Sequence, residues 1–249
     1  MSRFEDKVAL VTGAASGIGR ATAQRLAAER ATVFCSDVNG VGLSETIDTI
    51  RKTGGHATGK TCDVSSADAC DESVAEAISE FGKLDVLCNV AGIGIYGHAT
   101  ELTTEQWTAV IAVNLSGTFY MSRAALPHLL ETEGNIVNVA STAGLVGIAY
   151  AAAYCASKGG VVQLTKSMAV EFAHRNVRVN CVCPGGVDTP LARGFKAPEG
   201  GRPELLSRMT LVPKVGKPAE IATAIAYLAS EDARYVNGAS FAIDGGQVA

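Results

Sequence analysis

Val8-Ala9-Leu10-Val11-Thr12-Gly13-Ala14-Ala15-Ser16-Gly17-Ile18-Gly19-Arg20 is the stretch that decides the fold. Its continuous apolar start reads as a short strand covered on both faces. Glycines follow at once, and the pattern Gly17–Glu29 predicts a helix. Gly13 permits the tight turn, Gly17 removes a side chain where backbone must approach a pyrophosphate, and Gly19 lets helix and sheet pack closely. The helix would offer free N–H groups and a positive dipole end to phosphates. A plain glycine turn is the bland alternative, and the position between strand and helix argues against it.

The rhythm continues outward. Strands are expected at Lys7–Val11, Thr32–Ser36, Ala57–Cys62, Leu84–Cys88, Asn135–Ala140, Val177–Val182 and Ser240–Ile243. Helices are expected at Val41–Lys52, Ser66–Phe81, Thr104–Glu131 with a break or kink near Pro127, Ala151–Ala173 and Pro218–Ser230. Alternating strands and helices imply a parallel sheet with right-handed crossovers. The expected fold is therefore α/β, a Rossmann-type doubly wound sheet of about seven strands in one domain over 1–249. Ligands of such sheets lie beyond the carboxyl ends of the strands. The stretch 188–217, rich in Pro and Gly, is too long for an ordinary connection and reads as a substrate loop.

Composition excludes other classes. The 249 residues are 47% apolar and 18% charged, and no basic block accompanies the net charge of −4, so no nucleic-acid partner is expected. No apolar run is long enough for a membrane span, and the start lacks the pattern of a signal peptide, so a cytoplasmic protein is expected. The seven cysteines form no C-x-x-C pair and read as small buried hydrophobes. The four histidines lack metal-ligand spacing, so no metal site is expected.

The spacing T-G-x-x-x-G-x-G at Thr12–Gly19 resembles that of the short-chain dehydrogenase/reductase family, and later motifs extend the resemblance over the whole chain. Gly13, Ser16, Gly17, Ile18 and Gly19 would hold the pyrophosphate. Asp37 ends the second strand, where a carboxylate can bind the adenosine ribose hydroxyls and repel a 2′-phosphate. No Arg or Lys flanks it, and Arg20 lies inside the helix, so NAD is expected over NADP. Asp63 and Val64 resemble the family's adenine-contacting pair, although Asp63 also reads as a helix cap. Asn89, Ala91 and Gly92 match the family's Asn-Asn-Ala-Gly, with Val90 a departure, and the resemblance implies that this segment stabilises the sheet and lies against the adenosine ribose as part of the cofactor site. Pro184, Gly185, Val187 and Thr189 resemble its carboxamide-binding loop, and Asp244-Gly245-Gly246 also matches.

Tyr154-Cys155-Ala156-Ser157-Lys158 places a phenol and an ammonium one turn apart on one helical face. A neighbouring cation, together with the positive nicotinamide of the oxidised cofactor, favours the phenolate and lowers the phenol's pKa towards useful acid/base chemistry, and Tyr154 and Lys158 would also meet the cofactor. Ser141, just past a strand, can hold a substrate oxygen against Tyr154. Asn114 is an amide inside an apolar helix and calls for partners. The resemblance implies that its backbone carbonyl binds a water relaying protons to Lys158.

These residues predict an NAD-dependent oxidoreductase that interconverts a secondary alcohol and a ketone. The resemblance implies that Gly94–His98, Ala143–Tyr150, Val187 and 188–212 surround the substrate. Their apolar side chains, Ile95, Leu145, Leu191, Phe195 and Met209 among them, favour an apolar or mixed alcohol of hydroxysteroid, polyol or 3-hydroxyacyl type. His98, Arg193 and Arg208 are the cations that could meet a carboxylate or phosphate. Excess apolar surface on Thr104–Glu131 and Ala151–Ala173 suggests self-association, and the resemblance implies a homotetramer. The alternatives are an NADPH-dependent 3-oxoacyl reductase and a non-catalytic NAD-binding sensor. A sugar-nucleotide epimerase is disfavoured by the glycine spacing and the chain length.

Overall fold

A computed structural model describes residues 2–210 and 215–249, the side chains of 207–210 excepted. The expected loop residues 211–214, with its limit at Val212, and the side chains of Arg208 and Met209 lie outside the described residues.

Strand β1 (Val8–Thr12) sits centrally in a sheet with β2 (Thr32–Asp37), β3 (His56–Thr61), β4 (Val86–Asn89), β5 (Asn135–Val139), β6 (Arg178–Pro184) and β7 (Ser240–Ile243). All neighbours pair in parallel, in the order β3-β2-β1-β4-β5-β6-β7. The order reverses between β1 and β4, which opens a crevice at the ends of these strands.

Adjacent residues of a strand face opposite sides, and both sides are covered. Ala9 and Val11 pack with one layer, built by α1 (Gly17–Ala28), α2 (Gly40–Lys52) and α8 (Pro218–Ala229). Val8 and Leu10 pack with the other, built by α3 (Ala67–Phe81), α5 (Gly117–Thr132) and α6 (Ala152–Phe172). β1 and β5 are buried at every residue. The edge strands β3 and β7 are not: His56, Thr61, Phe241 and Ala242 are exposed, so continuous burial holds only inside the sheet.

The expected break near Pro127 is not where the helix is interrupted. Pro127 lies within α5, while α4 (Thr104–Ile111) joins α5 through a π turn at Ala112–Ser116. Asn114 at its centre supplies the reason. Its buried amide bonds outside the helix, and the wider turn accommodates this.

A second polar chain crosses the core. The Asn89 amide donates to Ser122 Oγ and to Asn138 Oδ1, each at 2.9 Å, and the Asn138 amide donates to Thr165 Oγ1 at 2.9 Å. These bonds tie β4 and β5 to α5 and α6, and each member must stay paired in a low-dielectric interior. No helix among the described residues is long and apolar enough to cross a membrane.

Asn138→Ala should strand the Asn89 amide and leave a small cavity, costing roughly 2–4 kcal/mol. Urea unfolding would measure this, and a loss no greater than that of an exposed Lys52→Ala control would refute the role of the chain of amides.

Candidate active site

A cleft of about 330 Å³ lies at the carboxyl ends of the strands. The glycine loop forms one side. Gly13 and Gly17 adopt φ of +68° and +51°, in the left-handed region that favours glycine. A Cβ on Gly19 would stand 2.0 Å from the Gly13 carbonyl oxygen, and one on Gly13 would stand 2.9 Å from the Ala91 backbone. Ser16 precedes α1 without capping it, whereas Asn39 and Ser66 cap α2 and α3 with their side chains. The first-turn N–H groups of α1 are therefore left for a ligand, and Ser16, Gly17, Ile18 and Gly19 all line the cleft.

Asp37 lies beside this loop. One carboxylate oxygen accepts the Ala15 N–H at 2.9 Å and the other accepts the Asn39 N–H at 2.8 Å. The nearby Arg20 guanidinium donates to the carbonyls of Ala15 and Gly42 and to Glu45, which engages its Nε and Nη2 groups. Asp63 and Val64 line the same end. Asp63 accepts the Ser65 N–H and hydroxyl, a turn that leads into α3, while Ser66 is the actual cap. Val90 and Ala91 line the cleft, and their N–H groups donate to Thr12 Oγ1 at 2.9 and 3.1 Å. These backbone bonds are indifferent to the side chain at 90. The Asn89 side chain points away from the cleft into the core network, unlike the ligand contact expected for it. Gly92 leaves space against Asn114 Oδ1 and Lys158 Nζ, which a Cβ would approach to 3.2 and 3.4 Å.

The other side carries the titrating groups. Ser141 follows β5, and its hydroxyl accepts the Ala143 N–H at 3.1 Å. Tyr154 and Lys158 stand one turn apart on α6, with Lys158 Nζ 5.8 Å from the Tyr154 ring centroid. Lys158 is only 3% exposed and donates to the Val139 carbonyl at 2.8 Å. Burial lowers its pKa to about 8, against weaker upward pulls from Cys183 and Cys181. Burial also pushes the Tyr154 phenol up, and the hydrogen bond with Ser141 works the other way. Among the protein's own groups burial therefore sets the direction, and the lowering expected jointly from Lys158 and a positive nicotinamide would act against it. A phenol in contact with a hydroxyl, near an ammonium, can still exchange a proton with an oxygen held between them.

Asn114 does not line the cleft. Its Oδ1 accepts the Ile93 N–H at 2.8 Å, and its Nδ2 donates to the Ile93 carbonyl at 2.9 Å and to Ser157 Oγ at 3.0 Å. It thus pins the loop after β4 to α6. Its backbone carbonyl, the expected water acceptor, accepts the Thr118 hydroxyl at 2.8 Å.

Pro184, Gly185, Val187 and Thr189 close the cleft beyond β6. Thr189 caps α7 (Pro190–Arg193) and packs opposite Gly17, where a Cβ would come 3.2 Å from its methyl group. The loop beyond bonds back to the β4–α4 loop and to the segment before α6. Phe195 meets Tyr96 edge-on at 4.4 Å, the Glu199 carbonyl lies 3.0 Å from His98 Nε2, and the Tyr150 hydroxyl accepts the Arg202 N–H at 2.7 Å. Arg193 pairs with Asp188. Two of the three expected cations are thus engaged with the protein itself. Tyr96, 5.8 Å from the Tyr154 ring, was hidden inside the expected stretch Gly94–His98, and only the surrounding Gly94 and Gly97 hint that a ring folds down there.

Comparison with known proteins agrees with this architecture. The family model described as enoyl-(acyl carrier protein) reductase matches residues 13–247. Meso-2,3-butanediol dehydrogenase of Serratia marcescens is 39% identical over 247 residues, covering 99% of this chain and 96% of that one. A 3-oxoacyl-(acyl-carrier-protein) reductase of Thermotoga maritima is 40% identical over 247 residues, covering 99% of each. The crystal structure of a short chain dehydrogenase from Mycobacterium paratuberculosis bound to NAD superposes with a TM-score of 0.92 at 29% identity, over 98% of both chains.

The buried ammonium has a consequence for stability. Below pH 8, Lys158 is protonated in both folded and unfolded chains, and the folded chain carries the full desolvation cost. That cost fades as pH rises from about 8 towards the unfolded value near ~10.4. Lys158→Met should therefore stabilise the fold by roughly 1–3 kcal/mol at pH 7, even without the bond to Val139, with the gain shrinking by pH 10. Urea unfolding at the two pH values checks this; a variant less stable than the parent at pH 7 contradicts it.

Proposed function

The chain belongs to the short-chain dehydrogenase/reductase family, and we propose that it interconverts a small secondary alcohol and its ketone with NAD(H), Tyr154 serving as acid and base. One observation carries this reading: the Ser141–Tyr154–Lys158 group and the glycine cradle line the same cleft. In this reading, residues 1–249 act as one NAD-binding catalytic domain, and 188–217 form its substrate loop.

The cleft fits a nicotinamide dinucleotide. Free N–H groups at the start of α1 suit a pyrophosphate, and a Cβ on Gly13 or Gly19 would fill the cradle. Asp37 suits ribose hydroxyls, and with Arg20 engaged elsewhere this favours NAD over NADP. Asp63, Val64, Ala91 and Gly92 would lie along the adenosine, and Pro184, Gly185, Val187 and Thr189 along the nicotinamide. The NAD-bound relative supports the same group. When bound, the dinucleotide supplies the hydride acceptor or donor.

Ser141 holds the substrate oxygen. Tyr154 takes the hydroxyl proton during oxidation and returns it during reduction. Burial keeps the phenol protonated at neutral pH, which suits ketone reduction. Lys158, fixed to the Val139 carbonyl, favours the phenolate when oxidation demands it. Asn114 acts as a positioning residue that holds the loop carrying Ile93 against α6. Engagement of His98 and Arg193 within the protein favours an uncharged substrate. The butanediol-dehydrogenase relative supports a small alcohol. Half-exposed Trp107 and Phe119 and exposed Val170, on α4, α5 and α6, support association of copies as a homotetramer.

Tyr154→Phe should lower kcat by roughly a hundred- to ten-thousand-fold while NADH binding, followed by fluorescence, stays within twofold. Retained turnover would remove Tyr154 from the chemistry. Asp37→Ser should lower the NAD-over-NADP ratio of kcat/KM by roughly 10–100-fold. A parent enzyme that turns over only with NADP(H) would reverse the cofactor assignment and favour the 3-oxoacyl reductase reading.

A further inference from the structure

Tyr96 is accounted for neither by the cofactor cleft nor by the Ser141–Tyr154–Lys158 group. It stands in the loop between β4 and α4, with its ring 5.8 Å from that of Tyr154 and tilted by 58° to it. Phe195 also contacts it, edge-on, with the ring centroids 4.4 Å apart. The phenol folds down over Gly94, where a Cβ would come within 2.3 Å of the hydroxyl oxygen. Gly94 is therefore what allows the ring to lie there. The ring is half-buried, its hydroxyl is not among the fully buried unpartnered atoms, and no hydrogen bond joins it to another described side chain or backbone group. Burial, with Tyr154 and Cys155 beside it, pushes this phenol up, so it stays neutral and can both donate and accept.

The surroundings leave this hydroxyl as a spare polar group. Phe195 against the Tyr96 ring is apolar, as are Ile93 and Leu191 in the cleft lining. His98 faces the Glu199 carbonyl, Arg193 is paired with Asp188, and the Tyr150 hydroxyl holds Arg202. A hydroxyl with no partner among the described residues is free to meet a ligand that brings one.

Resting on the reading of Tyr154 as acid/base, we propose that Tyr96 is a specificity-determining residue: its phenol hydrogen-bonds a second oxygen on the carbon next to the reacting one, so the preferred substrates are small vicinal diols and their α-hydroxyketones. Ser141 and Tyr154 hold the reacting oxygen, and Tyr96 holds its neighbour. Phe195, packed on the Tyr96 ring, limits the bulk beyond. Only the reacting carbon changes oxidation state. Its C–H bond breaks with hydride passing to the oxidised nicotinamide, its O–H proton passes to Tyr154, and the C=O bond forms. The second hydroxyl keeps its C–O bond and its proton.

Tyr96→Phe removes the oxygen and keeps the ring. The test compares NAD-dependent oxidation of 2,3-pentanediol with that of 2-pentanol and 3-pentanol, for the parent and Y96F. The parent should prefer the diol by tenfold or more in kcat/KM. Y96F should lose 10–100-fold on the diol, mainly through KM, and stay within twofold on both mono-alcohols. Gly94→Ala, which displaces the phenol without altering Tyr96, should reproduce the selective loss. Equal losses on diol and mono-alcohols, or no loss on the diol, overturn this proposal and leave the alcohol-dehydrogenase reading intact. A parent that binds NADH but oxidises none of the three alcohols overturns that reading, and this proposal with it.

Discussion

The close approach of Gly13 and Gly19 is the constraint on which the rest depends. With only 2.0 Å between the Gly13 carbonyl oxygen and the place of a Cβ at 19, any side chain there would lift α1 off the sheet. Lifting α1 would part it from α2 and α8, with which it shares one apolar layer. It would also move the uncapped first turn of α1 out of the cleft. Packing and ligand binding thus draw on the same missing side chains, and the core cannot be repacked at this point without cost to the cradle.

The opposite half of the cleft is organised by buried amides. Asn89 and Asn138 bind strands to helices, while Asn114 binds a loop to α6. Directional bonds of this kind specify one arrangement where apolar packing alone would tolerate several. Against this rigid frame the protein keeps an ammonium in its interior, at a cost visible in its lowered pKa. Stability is given up at the position where charge beside a phenol is needed.

The sequence made the β1–α1 turn legible because each glycine there answers a local steric need. It made the pairing of Tyr154 with Lys158 legible because helical spacing alone sets it. Other features depend on context that spacing does not carry. Pro127 is a strong local breaker, yet α5 runs through it, while the π turn has no composition signal beyond one polar residue in an apolar helix. Spacing sets Lys158 beside Tyr154, but the burial that raises the phenol comes from tertiary packing that spacing cannot reveal. Asn89 matches a ligand-binding motif and still turns inward, because its neighbours Ser122 and Asn138 arrive from distant parts of the chain. Tyr96 depends on how a loop folds back over Gly94, a matter of tertiary shape.

The π turn at Ala112–Ser116 also acts as a phase slip. An α-helix advances about 100° per residue, so one extra residue in a turn rotates everything beyond it by about that angle relative to an uninterrupted helix. The apolar stripe of α4 and that of α5 are therefore free to face different ways along one rod. α4 packs on α6, while α5 packs on α3 and β4. A single length of helix can thereby serve two neighbours, and the residue at the slip, Asn114, stands at the joint between them.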